Sequence, residues 1–285
     1  MSYIKELDIE RIVKNALKED IGSGDITTDS LVRPDLAVKA VLLAKEDCVV
    51  CGLGTFLLAL RSLDKKIKFK SLVRDGDQVK KGKQIVIIQG RARAILTAER
   101  VGLNFFSHLC GIATITRKYV LAVKPYKAKI LDTRKTIPGL RILEKYAVRI
   151  GGGFNHRMSL DEMIFVKDNH LKVLGSRFWV LGLEKNNKKY KTEIEVNNLN
   201  EFTKALKLNP DVIMLDNMSI RSMGRAVKIR NTLSPRTYNL KPKLEASGGV
   251  TLKNARKIAS AGVDLISVGE LTHSAPCIDI SLEIL

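Results

Sequence analysis

The sequence predicts an α/β protein in which a small, mostly antiparallel sheet is followed by a complete or partial barrel of parallel strands. Two patterns carry this prediction. Short β-branched runs separated by turns fill residues 36–90, as in antiparallel sheets. From residue 129 onward, predicted strands and helices alternate at the spacing of roughly 20 to 35 residues that is typical of βα units. A chain of 285 residues that is 45% hydrophobic can bury the core that both parts need.

The N-terminal part begins with a predicted helix over residues 8–20. Apolar residues recur there at helical spacing, Asp8 is the expected N-cap and Gly22 follows the end. Residues 19–32 are rich in Gly, Ser, Thr and Asp and are interpreted as turns. The strands predicted next cover residues 38–43, 48–50, 67–73 and 85–89.

Residues 91–123 read as one long helix or two abutting helices, with Arg100 and Asn104 set within an apolar surface. A charge in such a surface needs a partner or a ligand. A salt bridge from Arg100 to Glu99 or to another acid is the simpler interpretation, and a ligand contact is the alternative.

The C-terminal part is predicted to contain six strands that alternate with helices. The strands are expected at 129–133, 163–166, 192–196, 212–215, 243–246 and 265–268, and the helices at 139–150, 200–208, 219–230 and 252–261. Because the carboxyl ends of parallel strands meet at one rim, the residues that end or follow these strands should lie together. They are Arg134, Lys135, Lys167, Glu195, Asp216, Ser247, Gly248, Gly249 and Gly269.

These residue types suit a pair of anionic substrates, one of them bound to a metal. Glu195 and Asp216 end consecutive strands and fit Mg²⁺ that also binds substrate phosphates, although an acid–base pair or simple charge balance would use the same residues. Glycines in the last two loops can expose backbone N–H groups to a phosphate, or form plain turns. His156 and Arg157 follow a glycine triplet and are expected to contact a ligand. No pattern of nucleophile and base indicates covalent catalysis.

Net charge, cysteine content and hydropathy bound the remaining possibilities. The charge of +19 fits an enzyme for anionic substrates, a lysine-rich surface or a nucleic-acid binder, but aromatic residues do not alternate with the basic ones. We therefore expect no nucleic-acid partner. Cys48 and Cys51 lie in an apolar run and are expected to be buried thiols. No apolar run approaches the roughly 18 residues of a membrane helix and no secretory signal is recognised, which predicts a cytoplasmic protein without a membrane partner.

Seven blocks of sequence, in order, resemble the quinolinate phosphoribosyltransferase family. They are EDIGSGDITT, TAERVGLNFFSHLCGIAT, ILDTRKTIPGLR, GGGFNHRMSLDEMIFVKDNH, DVIMLDNM, LEASGGV and SVGELTHSAP. The resemblance implies an N-terminal open α/β sandwich over residues 1–108 and a C-terminal incomplete (β/α) barrel over 109–285 that carries the active site. It leaves open whether the last residues return to the N-terminal domain.

The resemblance also implies the reaction and the roles of the residues. Quinolinate and phosphoribosyl pyrophosphate would give nicotinate mononucleotide, pyrophosphate and CO₂, with Lys135, Glu195 and Asp216 catalytic. The residues that would bind quinolinate are Arg100, Arg134, His156, Arg157 and Lys167. Those that would bind phosphoribosyl pyrophosphate are Thr133, Lys135, Glu195, Asp216, Ser247, Gly248, Gly249, Gly269 and His273. Glu195 and Asp216 would hold Mg²⁺, directly or indirectly.

In this family Arg100 would reach the site of a neighbouring subunit, so the implied assembly is a homodimer with shared active sites, with a hexamer left open. The sequence departs from the family pattern at three places: Glu270 replaces a small residue, Asn197 and Asn198 replace an acid, and Cys110 replaces a serine. A sister phosphoribosyltransferase and the related molybdenum-transport protein are the alternatives on the same scaffold.

Overall fold

The chain forms two compact units in the computed structural model, which describes residues 6–175, 189–232 and 241–285. The first unit contains the chain up to Arg117 together with Thr136–Gly152 and Thr272–Leu285. The second contains Lys118–Lys135 and the described residues of Gly153–Leu271. The predicted α/β class is confirmed, and each unit has its own sheet.

The first unit is built on an antiparallel sheet in the order β12-β1-β5-β3, beside a two-stranded β2-β4 ribbon. Its strands are β1 Ala37–Ala44, β2 Cys48–Val49, β3 Lys68–Ser71, β4 Gln78–Val79, β5 Gln84–Arg91 and β12 Ile280–Ile284. Its helices are α1 Glu6–Ile21, α2 Ile26–Leu31, α3 Leu53–Leu63, α4 Ala92–Val123, which continues into the second unit, and α5 Arg141–Ile150. The predicted mostly antiparallel sheet is therefore present, and residues 91–123 form one helix rather than two.

Two helices of this unit were missed by the sequence analysis. Residues 53–63, within a region interpreted as strands and turns, form α3, whose first N–H groups, those of Gly52 and Leu53, donate to the Asp75 carboxylate at 2.9 and 3.2 Å. Residues 26–31, interpreted as turns, form α2, because Asp25 accepts the N–H of Thr28 and caps the helix. The cap of α3 is more than 20 residues away in sequence, which hides it from local pattern analysis.

The first helix also begins earlier than predicted. It starts at Glu6, so Asp8 lies inside its first turn rather than at the N-cap. Asp8 instead pairs with Arg11, one turn further along the same helix. Gly22 follows the end as predicted, with a left-handed φ of 57°.

The second unit is a parallel sheet of six strands in the order β6-β11-β10-β9-β8-β7. The strands are β6 Lys129–Leu131, β7 Met163–Val166, β8 Lys191–Val196, β9 Val212–Asp216, β10 Lys243–Ser247 and β11 Leu265–Ser267. The helices are α6 Asp168–Leu174, α7 Leu199–Lys207, α8 Ile220–Thr232, α9 Leu252–Ser260 and the short α10 Glu270–His273, which ends in the first unit.

All six predicted strands of this unit are present, and their order is that of an incomplete barrel. The first strand, β6, pairs with the last, β11, while β7 to β11 pair in chain order. The sheet is therefore open between β6 and β7, where an isolated parallel bridge joins Leu131 to Phe154. Among the described residues, every helix is too short or too polar to cross a membrane.

Candidate active site

The carboxyl ends of β7 to β10 bring several predicted site residues to one edge of the second unit. Lys167 follows β7, Glu195 is the penultimate residue of β8, and Asp216 and Ser247 end β9 and β10. Asp216 and Ser247 are direct partners in the register of those two strands. Parallel pairing thus places cation, carboxylate and hydroxyl on one rim, as the sequence analysis expected.

The loop that carries His156 is fixed by a fully buried carboxylate, that of Asp132, just after β6. Asp132 accepts the backbone N–H of His156 at 2.9 Å and the side-chain amide of Asn155. The N–H of Arg157 donates to Nδ1 of His156 at 2.8 Å, so Nδ1 is an acceptor. The ring proton therefore lies on Nε2, which is 3.0 Å from Oε2 of Glu193. This imidazole is neutral and held by the protein at both nitrogens.

Two buried acids lie behind His156, and the sequence analysis assigned a site role to neither. Glu193 in β8 and Glu245 in β10 are each 1% exposed. Burial raises the pKa of both carboxyl groups to about 8. The Ser267 hydroxyl donates to Oε1 of Glu245 at 2.5 Å, whereas Oε1 of Glu193 lacks a hydrogen-bond partner. The sequence signal that could have identified Glu245 was the presence of an acid inside a predicted strand, KLEAS.

Among the described residues, His156, Glu193 and Glu245 form the one group whose ligand atoms could surround a metal ion, since these atoms lie within 4.8 Å of one another. Positive charge is already present there, because Arg157 and Lys167 both act to lower the pKa of Glu193. A bound proton, together with the positive charges of Arg157 and Lys167, can therefore neutralise the carboxyl groups of Glu193 and Glu245. We assign no metal to this group.

Two of the cations predicted to bind a dicarboxylate, Arg157 and Lys167, act electrostatically on Glu193 of this cluster. Burial lowers the pKa of Arg157, and the positive charge of Arg134 lowers it further. Arg157 also donates to the carbonyl oxygen of Met163 at 3.1 Å. Lys167 is exposed, and its backbone N–H donates to Nδ1 of His170. That bond gives His170 a local structural role.

The aromatic ring of Phe165, in β7, contacts three of these residues. The guanidinium carbon of Arg157 lies 5.1 Å and Nζ of Lys167 lies 4.7 Å from the ring centroid. The His156 ring is tilted against the same ring, with the centroids 5.5 Å apart. The sequence analysis treated Phe165 only as a strand residue.

Glu195 and Asp216, near the ends of β8 and β9, are close enough for their negative charges to repel each other. Glu195 is 9% exposed, and its pKa is raised by burial and then by the charge of Asp216. The side-chain amide of Asn217 donates to Asp216 at 2.7 Å. A divalent cation shared by these oxygens would relieve the repulsion, so the donor set fits Mg²⁺.

The loop after β10 has a conformation that requires glycine. Gly248 has a φ of +85°, and a Cβ there would lie 2.1 Å from Oδ1 of Asn217. Gly249 also has a positive φ, +57°, but its Cβ would meet nothing within 4 Å. Asn254 holds the loop by donating to the carbonyl of Gly249. The loop is therefore fixed, with room beside Gly249.

Three of the four residues that depart from the family pattern have a local explanation. Glu270, beside Gly269, accepts the hydroxyl of the buried Tyr119 at 2.6 Å, and burial raises the pKa of that tyrosine so that it remains a donor. Asn198 caps α7 by accepting the N–H of Glu201. The thiol of Cys110 accepts the N–H of Cys51, and Cys48, Cys51 and Cys110 are buried as predicted for the first two.

Arg100 and His273 belong to the first unit. Arg100 is exposed on α4 and forms no direct salt bridge among the described residues, but its charge acts to lower the pKa of Glu99. His273 is exposed and lies 2.5 Å from the hydroxyl of Ser274. Thr133 and Lys135 lie in the second unit, where the Thr133 hydroxyl accepts the N–H of Lys135.

Comparison with known proteins gives one consistent result over nearly the whole chain. Residues 25–110 match the N-terminal domain and residues 112–283 the C-terminal domain of quinolinate phosphoribosyl transferase. The chain is 41% identical to a probable nicotinate-nucleotide pyrophosphorylase (carboxylating) of Methanocaldococcus jannaschii, covering 96% of each protein. It is 39% identical to quinolinate phosphoribosyltransferase (decarboxylating) 1b of Nicotiana tabacum, covering 97% of this chain and 82% of the relative.

The fold is similar to that of solved structures named nicotinate-nucleotide pyrophosphorylase. The crystal structure of nicotinate-nucleotide pyrophosphorylase from Ehrlichia chaffeensis superposes with a TM-score of 0.90 at 40% identity, and the whole of each chain is covered. The corresponding structure from Francisella tularensis gives a TM-score of 0.88 at 38% identity, with 99% of this chain and 98% of the other covered.

Proposed function

The chain belongs to the quinolinate phosphoribosyltransferase family, and from this premise we propose how its residues carry out the reaction. The enzyme transfers the phosphoribosyl group of phosphoribosyl pyrophosphate to quinolinate with decarboxylation, in the synthesis of NAD. The products are nicotinate mononucleotide, pyrophosphate and CO₂.

Quinolinate is held by the cations that meet around His156. Its two carboxylates pair with Arg134, Arg157 and Lys167. The neutral imidazole of His156 accepts the backbone N–H of Arg157 and so holds the backbone at that residue. The observation that carries this proposal is that Arg157, Lys167 and His156 all contact the ring of Phe165, while Nε2 of His156 lies 3.0 Å from Oε2 of the buried Glu193. Charged groups that are already in place lose little freedom when the dianion binds.

The electrostatic arrangement suits the two chemical steps. The pyridine nitrogen attacks C1 of the ribose as pyrophosphate leaves, and the developing positive charge on the sugar is stabilised by nearby carboxylates, Glu195 and Asp216. When the adjacent carboxylate leaves as CO₂, its bonding electron pair stays on the ring carbon, where the neighbouring positively charged nitrogen stabilises it, and that carbon then takes a proton from solvent. The attacking nitrogen carries no proton, so the first step needs no general base.

The phosphoribosyl pyrophosphate subsite lies along the same rim. Lys135 and Thr133 would meet the pyrophosphate, and the loops at Ser247–Gly249 and Gly269 would hold the 5-phosphate on backbone N–H groups. Glu195 and Asp216 would hold Mg²⁺, which supplies charge neutralisation to the leaving group when bound. The mutual repulsion of these acids supports this assignment.

The assembly proposed is a homodimer in which Arg100 completes the quinolinate site of the neighbouring subunit. Its support is that Arg100 is exposed and lacks an ion pair among the described residues. A cytoplasmic location is proposed on separate grounds. All four cysteines are free thiols, as is usual in a reducing compartment.

The assay that tests the assignment offers phosphoribosyl pyrophosphate with quinolinate, nicotinate or nicotinamide. Turnover of quinolinate with release of CO₂ is expected, and turnover of nicotinate but not quinolinate would reject the proposal. R134A should lose quinolinate binding, measured by calorimetry, because one of the carboxylates loses its charged partner. Its circular dichroism should match the parent, since Arg134 is half-buried at the rim rather than in the core. An unchanged quinolinate affinity would remove Arg134 from the site.

A further inference from the structure

Three side chains of the quinolinate subsite share one contact, the ring of Phe165. Arg157 and Lys167 lie 5.1 and 4.7 Å from its centroid, and His156 packs against it at 5.5 Å. Phe165 is 8% exposed and sits in β7, two residues before Lys167 in the sequence. Its backbone is anchored by parallel pairing with Glu193 in β8, so the ring projects from a fixed point.

The ring has a physical task that an aliphatic side chain cannot perform. Arg157 and Lys167 carry like charges, and Arg134 adds a third positive charge close to Arg157. Without a bound anion, such cations repel one another, which favours conformations that spread them apart. The negative face of an aromatic ring attracts cations within about 6 Å, most strongly where water is partly excluded.

We propose that Phe165 is a positioning residue that holds Arg157 and Lys167 in the geometry required by the dicarboxylate before the substrate arrives. The proposal rests on the assignment of the quinolinate subsite made above. Phe165 does not touch the reacting atoms, and its effect is on substrate affinity. Removing the ring while keeping the apolar volume should therefore weaken quinolinate binding and leave the sugar phosphate subsite unchanged.

The size of the effect follows from the two cation contacts. Their loss should raise the KM and the Kd for quinolinate about 5- to 30-fold, which corresponds to about 1–2 kcal/mol. The kcat at saturating quinolinate and the KM for phosphoribosyl pyrophosphate should stay close to the parent values. A general distortion of the rim would instead change all of these parameters together.

The sharpest test changes the electrons of the ring and not its shape. Phe165 is replaced by phenylalanine carrying one, two or three fluorine atoms, which weaken the negative face stepwise. The Kd for quinolinate is then measured by calorimetry on the full-length protein. The Kd for quinolinate is expected to rise stepwise with fluorination, and F165L should give the highest Kd of the series. F165Y, which keeps the ring, should have a Kd near that of the parent.

Phe154 provides the matched control. Its ring is exposed and also contacts a cation, since Nζ of Lys129 lies 4.6 Å from the ring centroid, but it is not part of the proposed quinolinate subsite. F154L should leave the Kd for quinolinate unchanged. A Kd that is insensitive to fluorination, in a parent enzyme that turns over quinolinate, would overturn the role of Phe165 alone. A parent enzyme that does not turn over quinolinate would instead overturn the proposed function.

Discussion

At the scale of single residues, His156 shows how its neighbours decide the chemistry of a side chain. The sequence indicates a ligand contact at this position. In the structure the Arg157 N–H and the Glu193 carboxylate engage its two nitrogens, which selects the neutral tautomer with the proton on Nε2. The same Nε2 lies 3.8 Å from a carboxyl oxygen of Glu245, so the imidazole is adjacent to both buried acids.

The buried acids make stability depend on pH in a defined direction. The pKa of Glu245 rises from its ordinary value of 4.5 to about 8 on folding. Between these values the folded protein keeps a proton that the unfolded chain has released, so the free energy of unfolding falls as the pH rises. E245Q removes this proton linkage and can still accept the Ser267 hydroxyl. It should match the parent near pH 5 and become progressively more stable than the parent toward pH 8.

Urea denaturation at several pH values measures this difference. E19Q, on the exposed face of α1, is the control and should show no such trend relative to the parent. A stability difference between E245Q and the parent that is constant from pH 5 to pH 8 would contradict the assignment of a proton to the buried acids.

At the scale of structural elements, the loops after the strands determine whether the rim can bind phosphate. The Gly248 loop is held in a left-handed conformation against Asn217, which itself has a φ of 51° and donates its N–H to the Ser247 carbonyl at 2.9 Å. β9 and β10 thus end together because their following loops contact each other. This arrangement couples the acid at the end of β9 to the glycine loop after β10.

Alanine at the two glycines should have unequal effects. G249A should cost about 1–2 kcal/mol of stability, because the left-handed conformation is strained but the space is open. G248A adds a collision with Asn217, so it should be the less stable variant and should raise the KM for phosphoribosyl pyrophosphate about tenfold or more. Thermal unfolding and initial-rate kinetics on both variants measure this contrast. Equal losses in the two variants would show that the contact with Asn217 does not restrict the loop.

At the scale of the whole molecule, the proposed shared site makes activity a property of the pair of subunits. R100A and R134A should each be nearly inactive. Random mixing of the two after reversible dissociation should restore about a quarter of the parent activity, because half of the dimers are mixed and each mixed dimer has one intact site. Activity and dimer exchange are followed together, the latter by light scattering.

A mixture of R134A with K167A is the matched control. Both changes lie in the same proposed subsite of one subunit, so mixed dimers contain no intact site and no activity should return. Recovery of activity in this control would exclude a site shared through Arg100. The same conclusion would follow if the mixture of R100A and R134A recovered no activity once exchange is complete.

Much of the second unit could be predicted, because its signals are local. Its six strands are short, and each is found within two residues of its predicted ends. The convergence of Lys167, Glu195 and Asp216 follows from parallel pairing alone. The first unit was less predictable. α3 depends on a distant carboxylate, that of Asp75, and β12 joins the sheet by pairing with β1, from which it is separated by most of the chain.

By itself, the sequence determined the α/β class, the strands of the second unit and the residue types at their ends, since hydrophobic periodicity and turn residues act over a few positions. Only the tertiary structure decided the tautomer of His156, the raised pKa of Glu245 and the meeting of Arg157 and Lys167 on Phe165. These properties depend on burial and on distances between strands. Loss of water and the approach of distant charges exist only once the chain has folded.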